Sequence, residues 1–314
     1  IRVISRNPDQ NTWLAVQQVT LKNSENERRF DIVLYCNGLP IGVIELKRSG
    51  DRAADLKGAH NQIALYTKQF PAAFRFNVLT IISDGVTARY GTPFTPYIHM
   101  AVWNVDEDGK PVDLLHASDD DLDYGYQFAQ DVLLFGVANQ ERFLDLLHNY
   151  IVFQSESDPA GGTRTVKKIA KAHQYFAVSK AVGSTLDAVR GNQQIGVVWH
   201  TQGSGKSLEM VFYNNIVMRH PQLGNPTTVL ITDRTDLDDQ LYNTFTSTVD
   251  FLPEAPQEIS SIAHLRQELQ GKQQGGIYFT TLQKFRKTKD EAEAGLAHET
   301  LSERSNIIII VDEA

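Results

Sequence analysis

A glycine-rich segment that ends in Gly-Lys-Ser is the clearest sign of chemistry in this 314-residue sequence. It begins at His200 and follows the apolar residues 195–199, which predict a short strand. In such a segment, backbone N–H groups surround phosphate oxygens, Lys206 reaches the outer phosphates, and Ser207 ligates Mg²⁺ where a helix begins. The strict pattern has glycine in place of His200. We predict an ATP and Mg²⁺ site formed by Thr201, Gln202, Gly203, Ser204, Gly205, Lys206 and Ser207.

A second acidic element that could complete this site lies near the end of the sequence. Asp312 and Glu313 directly follow the aliphatic run 307–311, which predicts a buried strand. An aspartate in that position can hold Mg²⁺ through water, and the adjacent glutamate can orient the attacking water for hydrolysis. We therefore predict that Asp312 binds the metal and that Glu313 is catalytic.

Two carboxylates and a lysine suggest a separate hydrolytic centre near the start of the chain. Asp31 lies in one predicted strand of a hairpin, and Glu45 and Lys47 lie in the other. Because side chains alternate along a strand, Glu45 and Lys47 share a face, and the hairpin can bring Asp31 beside them. Asp31 and Glu45 could hold Mg²⁺, and Lys47 could stabilise negative charge on a phosphodiester. The alternative is a surface ion pair between Glu45 and Lys47.

Composition limits the class of protein. The length predicts two domains, and we place their boundary at a polar, glycine-rich stretch, residues 155–162. The net charge of −8 argues against a uniformly basic nucleic-acid-binding surface. The single cysteine, together with the lack of a signal peptide or a membrane-spanning apolar run, predicts a cytoplasmic protein without a membrane partner.

The residues before the boundary predict a mixed α+β domain at 1–155. Residues 29–47 predict a hairpin with its turn at Asn37-Gly38. A helix is expected over 51–70, a second hairpin over 77–90, and helical structure within 125–153. Residues 91–115 show no sustained periodicity.

The residues after the boundary predict an α/β domain at 156–314. Short aliphatic runs alternate with helical segments, and several runs are continuously hydrophobic. Strands of that kind are typical of a parallel sheet buried on both faces, whose ligand lies at the carboxyl ends of the strands. The predicted strands are 195–199, 228–232, 276–281 and 307–311.

The strand ends of this second part resemble motifs of superfamily 2 helicases and translocases. Those motifs would lie at 229–240 and 278–285, and in that family such loops line the path of the nucleic-acid backbone. The resemblance implies a RecA-like lobe in which Arg234, Thr280 and Lys284 contact DNA phosphates. It also implies that Gln174 reads adenine. The alternative is that Thr280 caps a helix and that Arg234 and Lys284 are solvated surface charges. For Gln174, the alternative is an ordinary surface glutamine.

The first part resembles the PD-(D/E)xK nuclease core, read here as Asp31, then Glu45-Leu46-Lys47, with Phe30 in place of the proline. Gln62 and Tyr66 match a Gln-x-x-x-Tyr element that follows this core in some helicase-linked nucleases. Four residues apart, they share one helix face and could meet the same substrate. Packing of Tyr66 against the sheet is the alternative.

The order of nuclease core, Gln-x-x-x-Tyr element and superfamily 2 motor resembles the restriction (R) subunit of type I restriction–modification enzymes. That resemblance implies ATP-driven translocation of double-stranded DNA and Mg²⁺-dependent endonucleolytic cleavage, in a complex with modification and specificity subunits. It also implies a fragment, because translocases hydrolyse ATP between two lobes and only one is evident. A further nuclease acid could be Glu25 or Glu27, or could precede Ile1.

Two rival hypotheses remain open at this level. The chain could belong to a helicase-linked nuclease of another restriction or repair system. Alternatively, the motor lobe could carry a non-catalytic DNA-binding or docking module, in which Glu45 and Lys47 merely pair.

Overall fold

The computed structural model describes residues 3–48, 56–114, 128–158, 161–232 and 235–312, with the backbone alone for 235–239. By its internal contacts the chain divides into two units. The first comprises Ile1–Val152 and Thr165–Phe176, and the second comprises Phe153–Arg164 and Ala177–Ala314. Division at 155/156 stays a prediction, and the contacts assign the segment Thr165–Phe176 to the first unit.

A five-stranded sheet and one helix form the centre of the first unit. In chain order they are β1 (Trp13–Lys22), β2 (Glu27–Cys36), β3 (Leu39–Leu46), α1 (Leu56–Gln69), β4 (Leu79–Ser83) and β5 (Ala88–Gly91). The strands lie side by side in the same order. β3 and β4 are parallel and connected through α1, whereas the other neighbours are antiparallel. The predicted mixture of helix and sheet is confirmed, but β1 was not predicted.

The predicted hairpin between β2 and β3 is confirmed. Its turn residues Asn37 and Gly38 both have positive φ, +49° and +80°, as a tight two-residue hairpin turn requires. Next to the turn Tyr35 pairs with Pro40, but the register shifts by one residue between Leu34 and Tyr35, so that Ile32 faces Ile44. Asp31 and Glu45 are the next pair along this shifted register, so the turn and the irregularity together align the two carboxylates across the strands.

Helix α1 covers this part of the sheet with residues spaced three and four apart. Ala59, Ile63 and Tyr66 are buried along one face of the helix. Tyr66 packs against Phe30, with ring centroids 4.7 Å apart, and the Phe74 ring centroid lies 5.9 Å from that of Phe30. Each buried aromatic ring contributes about 2–3 kcal/mol. These contacts hold α1 firmly above β2 and β3.

Trp103 is the centre of a second aromatic cluster in the first unit. Its ring centroid lies 5.9 Å from that of Tyr90 and 5.8 Å from that of Phe176. The guanidinium of Arg142 lies 5.6 Å from the Trp103 centroid. Two helices belong to this region, α2 (Ala129–Val137) and α3 (Gln140–Asn149), in agreement with the helical pattern predicted within 125–153.

Part of the stretch predicted as a linker lies in a strand. Strands β6 (Ile151–Ser157) and β7 (Thr163–Ile169) pair as a two-stranded sheet, and residues 159–160 lie outside the described residues. Residues 155–157 belong to β6, and the assignment of 155–162 to the domain boundary stays a prediction. In the first unit, the buried Lys167 of β7 donates a hydrogen bond to the Asn77 carbonyl at 2.7 Å.

The second unit contains a four-stranded parallel sheet in the order β11-β8-β10-β9. β8 and β10 are buried along their whole length, as predicted for a sheet covered on both faces. Among the described helices of both units, none is long and apolar enough to cross a membrane. The strands are β8 (Thr227–Thr232), β9 (Pro256–Glu258), β10 (Ile277–Thr281) and β11 (Ile307–Val311). The helices are α4 (Ala172–Arg190, which belongs to this unit from Ala177 onward), α5 (Lys206–Arg219), α6 (Thr235–Thr246), α7 (Ile262–Gly271) and α8 (Lys289–Glu293).

Two strand predictions in the second unit need correction. Residues 195–199 form no strand, and Val197 and Trp199 are 93% and 82% exposed. Apolar composition alone could not reveal this, because a strand also needs a neighbour for its backbone hydrogen bonds. β11 does form, but as the edge strand: Ile309 is 56% exposed, so the strand predicted to be buried is covered only in part.

Two helical glycines provide a matched test of this packing. A Cβ at Gly136 in α2 would lie 2.2 Å from Nε1 of Trp103, whereas a Cβ at Gly183 in α4 would meet no atom within 4 Å. We expect Gly136→Ala to lower the free energy of unfolding by about 1–3 kcal/mol through overpacking. Gly183→Ala should raise it by about 0.5–1 kcal/mol because alanine is the better helix former. Urea unfolding followed by circular dichroism measures both, and equal effects would contradict the packing described around Trp103.

Candidate functional site

Five residues predicted to be catalytic lie together in the first unit. Asp31 is in β2, Glu45 is in β3, and Lys47 follows the end of β3. Gln62 and Tyr66 are on α1, which packs over these strands. The backbone N–H of Lys47 donates to the Ser83 carbonyl at 2.8 Å. This bond extends the pairing of β3 with β4 and fixes the position of the lysine backbone.

A chain of hydrogen bonds links four of these side chains. Lys47 Nζ donates to Glu45 Oε1 at 2.8 Å and to Gln62 Oε1 at 2.7 Å. Gln62 Nε2 in turn donates to the Tyr66 hydroxyl at 2.5 Å, and that hydroxyl donates to the Arg29 carbonyl at 3.4 Å. Lys47 is therefore held in one position by groups from both β3 and α1.

The ion pair between Glu45 and Lys47 is present, but it is not a surface pair. The side chains are 1% and 17% exposed, respectively. Burial, with a smaller contribution from the Asp31 carboxylate, raises the pKa of Glu45 to about 7 against the opposing effect of Lys47. Desolvation thus prevails over the neighbouring lysine. Burial also raises the pKa of the Tyr66 phenol.

The carboxylates retain the capacity to bind a cation. Glu45 Oε2 is buried and accepts no hydrogen bond within the described structure. Asp31 is directly opposite Glu45 by register, and its Oδ2 accepts the backbone N–H of Leu46 at 2.8 Å. A buried carboxylate oxygen without a partner is unfavourable unless a positive charge compensates it. Asp31 and Glu45 are therefore the residues that could hold Mg²⁺ here.

Neither Glu25 nor Glu27 reaches this cluster. Both lie at the turn between β1 and β2, where Glu27 forms an exposed ion pair with Lys22 at 3.1 Å. Glu27 lies four positions before Asp31 along an extended strand, a distance of roughly 13 Å. The proposal that one of them is a further ligand of the same metal is not supported.

The glycine-rich segment of the second unit has the backbone of an anion site. Gly203 and Gly205 have φ of +78° and +95°, a conformation that side chains disfavour, and α5 begins directly afterwards at Lys206. The helix N-terminus offers N–H donors and a partial positive charge to a phosphate. Thr201, Gln202 and Gly203 are exposed, and Ser204, Gly205, Lys206 and Ser207 are partly exposed.

The histidine that departs from the strict pattern has a partner that the sequence did not reveal. His200 Nδ1 lies 2.9 Å from Oε1 of Glu209, a buried residue in the first turn of α5. This contact ties the start of the segment to the helix that ends it. The only sequence signal was an acidic residue shortly after Gly-Lys-Ser.

The remaining predicted nucleotide-site residues have the following positions. Asp312 follows β11, and its N–H donates to the Ile231 carbonyl at 3.0 Å. Gln174 is 4% exposed, so its interpretation as a surface glutamine was wrong. Its Oε1 accepts the N–H of Lys171 at 2.9 Å, which stabilises the start of α4. Glu313 lies outside the described residues.

The three predicted DNA contacts have different outcomes. Thr280 is inside β10 and 0% exposed, so the prediction that it touches DNA needs correction: the strand continues past it, and the sheet is covered on both faces. Lys284 is partly exposed, donates to the Ile259 carbonyl, and lines a cavity of about 320 Å³. Arg234 lies outside the part of the chain that the structure describes.

Comparison with known proteins identifies two matching families. Residues 5–97 match the N terminus of type I restriction enzyme R proteins, and residues 173–314 match the SWI2/SNF2 ATPases. The predicted resemblance to the restriction subunit of type I enzymes is thereby confirmed.

Individual relatives agree with these family matches. The HindI type I restriction enzyme endonuclease subunit of Haemophilus influenzae is 40% identical over 97% of this chain and 28% of its own length. An endonuclease subunit assigned to the MjaIXP type I restriction enzyme of Methanocaldococcus jannaschii is 34% identical over 98% of this chain and 29% of its own. A Staphylococcus aureus type I endonuclease subunit is 27% identical over 96% and 29%. The chain thus spans less than a third of the length of these relatives.

The burial of Glu45 predicts a stability that depends on pH. Its folded-state pKa is raised, so ionisation destabilises the folded state as pH rises from the unfolded-state pKa to about 7. With chelator present at pH 8, we expect Glu45→Gln to raise the free energy of unfolding by about 2 kcal/mol. At pH 4, where the carboxyl is protonated in both states, the gain should disappear.

Urea unfolding followed by tryptophan fluorescence at the two pH values measures this difference. Glu27→Gln is the matched control, because Glu27 is exposed and pairs with Lys22 on the same sheet. A gain from Glu45→Gln that is the same at both pH values would contradict the assigned desolvation.

Proposed function

Since the chain is related along nearly its whole length to endonuclease subunits of type I restriction enzymes, we propose that it carries their nuclease centre and the first lobe of their ATP-driven motor. The complete protein would couple translocation of double-stranded DNA to Mg²⁺-dependent cleavage. It would act in the cytoplasm with the modification and specificity subunits, which recognise the DNA site.

The buried network around Glu45 is the observation that carries the nuclease assignment. A chain that used Glu45 and Lys47 only as a surface pair would have no reason to desolvate the carboxylate. The path of the chain through three antiparallel strands, α1 and a parallel fourth strand supports a PD-(D/E)xK core. Asp31, Glu45 and Lys47 are its three motif residues.

In this proposal each side chain has a separate task. Asp31 and Glu45 would provide oxygen ligands for Mg²⁺, and the ion, when bound, would supply activation of water and stabilisation of charge on the scissile phosphate. Glu45 and Gln62 occupy two of the three donors on Lys47 Nζ. The third donor can stabilise a phosphate oxygen as water adds to phosphorus and the bond to the leaving sugar oxygen breaks. Gln62 and Tyr66 keep Lys47 in that orientation.

The motor assignment rests on the glycine-rich segment of the second unit. The positive φ angles at Gly203 and Gly205 and the start of α5 at Lys206 support a phosphate-binding loop at a helix N-terminus. Lys206 would contact the outer phosphates of ATP, and Ser207 and Asp312 would hold Mg²⁺. Glu313 would activate water, and Gln174 would contact adenine. Lys284 and Arg234 remain the proposed contacts to DNA.

Lys47 tests the nuclease assignment in the complete complex. We expect Lys47→Ala to lower the cleavage rate about 100-fold or more, because phosphate charge then lacks its donor, while DNA-dependent ATP hydrolysis stays normal. Gel assays of plasmid cleavage and phosphate release measure the two activities.

Lys22→Ala is the matched control, since it also removes a lysine paired with a glutamate but at an exposed position. Full cleavage by Lys47→Ala would reject the nuclease centre and favour a non-catalytic DNA-binding or docking module.

Lys206 tests the motor assignment. We expect Lys206→Ala to abolish both ATP hydrolysis and DNA translocation, because the phosphates lose their main cationic contact. Lys180→Ala, which removes an exposed lysine from α4, should leave both unchanged. Translocation is measured by displacement of a DNA triplex, and normal displacement by Lys206→Ala would refute the assignment.

Copurification tests which system the protein belongs to. If no methyltransferase subunits copurify with the complete protein, a helicase-linked nuclease of another system is favoured.

A further inference from the structure

Gln18 has an unusual backbone in the middle of an edge strand. Its φ is +57°, a left-handed conformation that non-glycine residues rarely adopt. Three other described non-glycine residues, Asn37, Gln193 and Asn225, share this sign of φ, and all three lie outside strands and helices. Among the described residues, Gln18 is therefore the one case within a strand.

The strained conformation does not accommodate an inserted residue. Gln17 pairs with Ile32 and Val19 pairs with Phe30, so the register between β1 and β2 is the same on both sides of Gln18. A bulge would have shifted that register. The left-handed conformation at position 18 is therefore confined to this residue and leaves the pairing on either side unchanged.

The strain lies directly beside the candidate nuclease centre. By the register of β1 and β2, the residue opposite Gln18 is Asp31, and the residue opposite Asp31 on β3 is Glu45. These three positions form one row across neighbouring strands about 5 Å apart. Backbone strain that persists beside reactive groups is a reason to suspect a functional role at that position.

The carboxamide of Gln18 is accessible to a ligand. The residue is exposed, and its side chain has no hydrogen bond to any part of the chain that the structure describes. β1 is the edge strand of the sheet, and the exposed Leu14 and Val16 lie on the same strand. An amide can donate to a phosphate oxygen without adding charge beside two carboxylates.

From these observations we propose that Gln18 is a DNA-contacting residue of the cleavage centre, whose amide donates to a backbone phosphate beside the one that is cut. The inference rests on the proposed nuclease function of Asp31, Glu45 and Lys47. The strain at position 18 keeps the amide on the substrate side of the row, and the neutral donor fixes the DNA strand relative to the carboxylates.

Neighbouring glutamines provide a matched test in the complete complex. We expect Gln18→Ala and Gln18→Gly to lower the single-turnover cleavage rate about ten-fold, the effect of losing one hydrogen bond to a charged group. Gln17→Ala, at an exposed position with regular backbone, should cleave normally. ATP hydrolysis and translocation should be unchanged in all variants. Gln18→Asn, which keeps the amide and tolerates positive φ, should recover part of the rate.

Stability measurements separate this role from a structural one. Gln18→Gly should raise the urea midpoint of the first unit because glycine relieves the strain, whereas Gln17→Gly should lower it. A slower yet more stable Gln18→Gly variant supports a contact with DNA. Normal cleavage by Gln18→Gly, with Lys47→Ala inactive, would overturn this inference alone. If Lys47→Ala also cleaves normally, the nuclease proposal itself fails.

Discussion

The buried carboxylate of Glu45 is the constraint around which the first unit is organised. A charged group with 1% exposure is unfavourable unless cations and donors surround it, and the unit supplies Lys47, which directly follows the strand that carries Glu45. Lys47 would itself be mobile without Gln62, and Gln62 is held by Tyr66. The polar network therefore depends on α1 lying in one position over β3.

Ordinary packing sets that position. Tyr66 inserts its ring against Phe30 while its hydroxyl bonds Gln62, so one residue contributes to both the apolar core and the polar network. This explains why packing and function need not be alternatives for Tyr66. The connection through α1 also makes β4 parallel to β3. The backbone hydrogen bond from Lys47 to Ser83 continues this parallel pairing.

Local patterns predicted the hairpin and α1 well, because the responsible forces act between residues close in sequence. Asn37 and Gly38 adopt positive φ with little strain, so their turn could be recognised from two residues. Gln62 and Tyr66 are one helical turn apart, and their contact follows from that spacing. β1 was missed because its exposed faces carry no clear alternation of apolar and polar residues, and its stability comes from pairing with β2.

The sequence by itself determined which chemical groups are present and which neighbours share a turn or a face: Glu45 with Lys47, Gln62 with Tyr66, and the glycines before α5. Only the tertiary structure decided what surrounds them. Burial converted a common Glu-x-Lys pair into a desolvated network and enclosed Thr280 within its sheet. Residues 195–199, in contrast, pair with no neighbouring strand in the described structure. The reason is that burial and strand pairing depend on segments far apart in the chain, whereas residue type and spacing describe only local contacts.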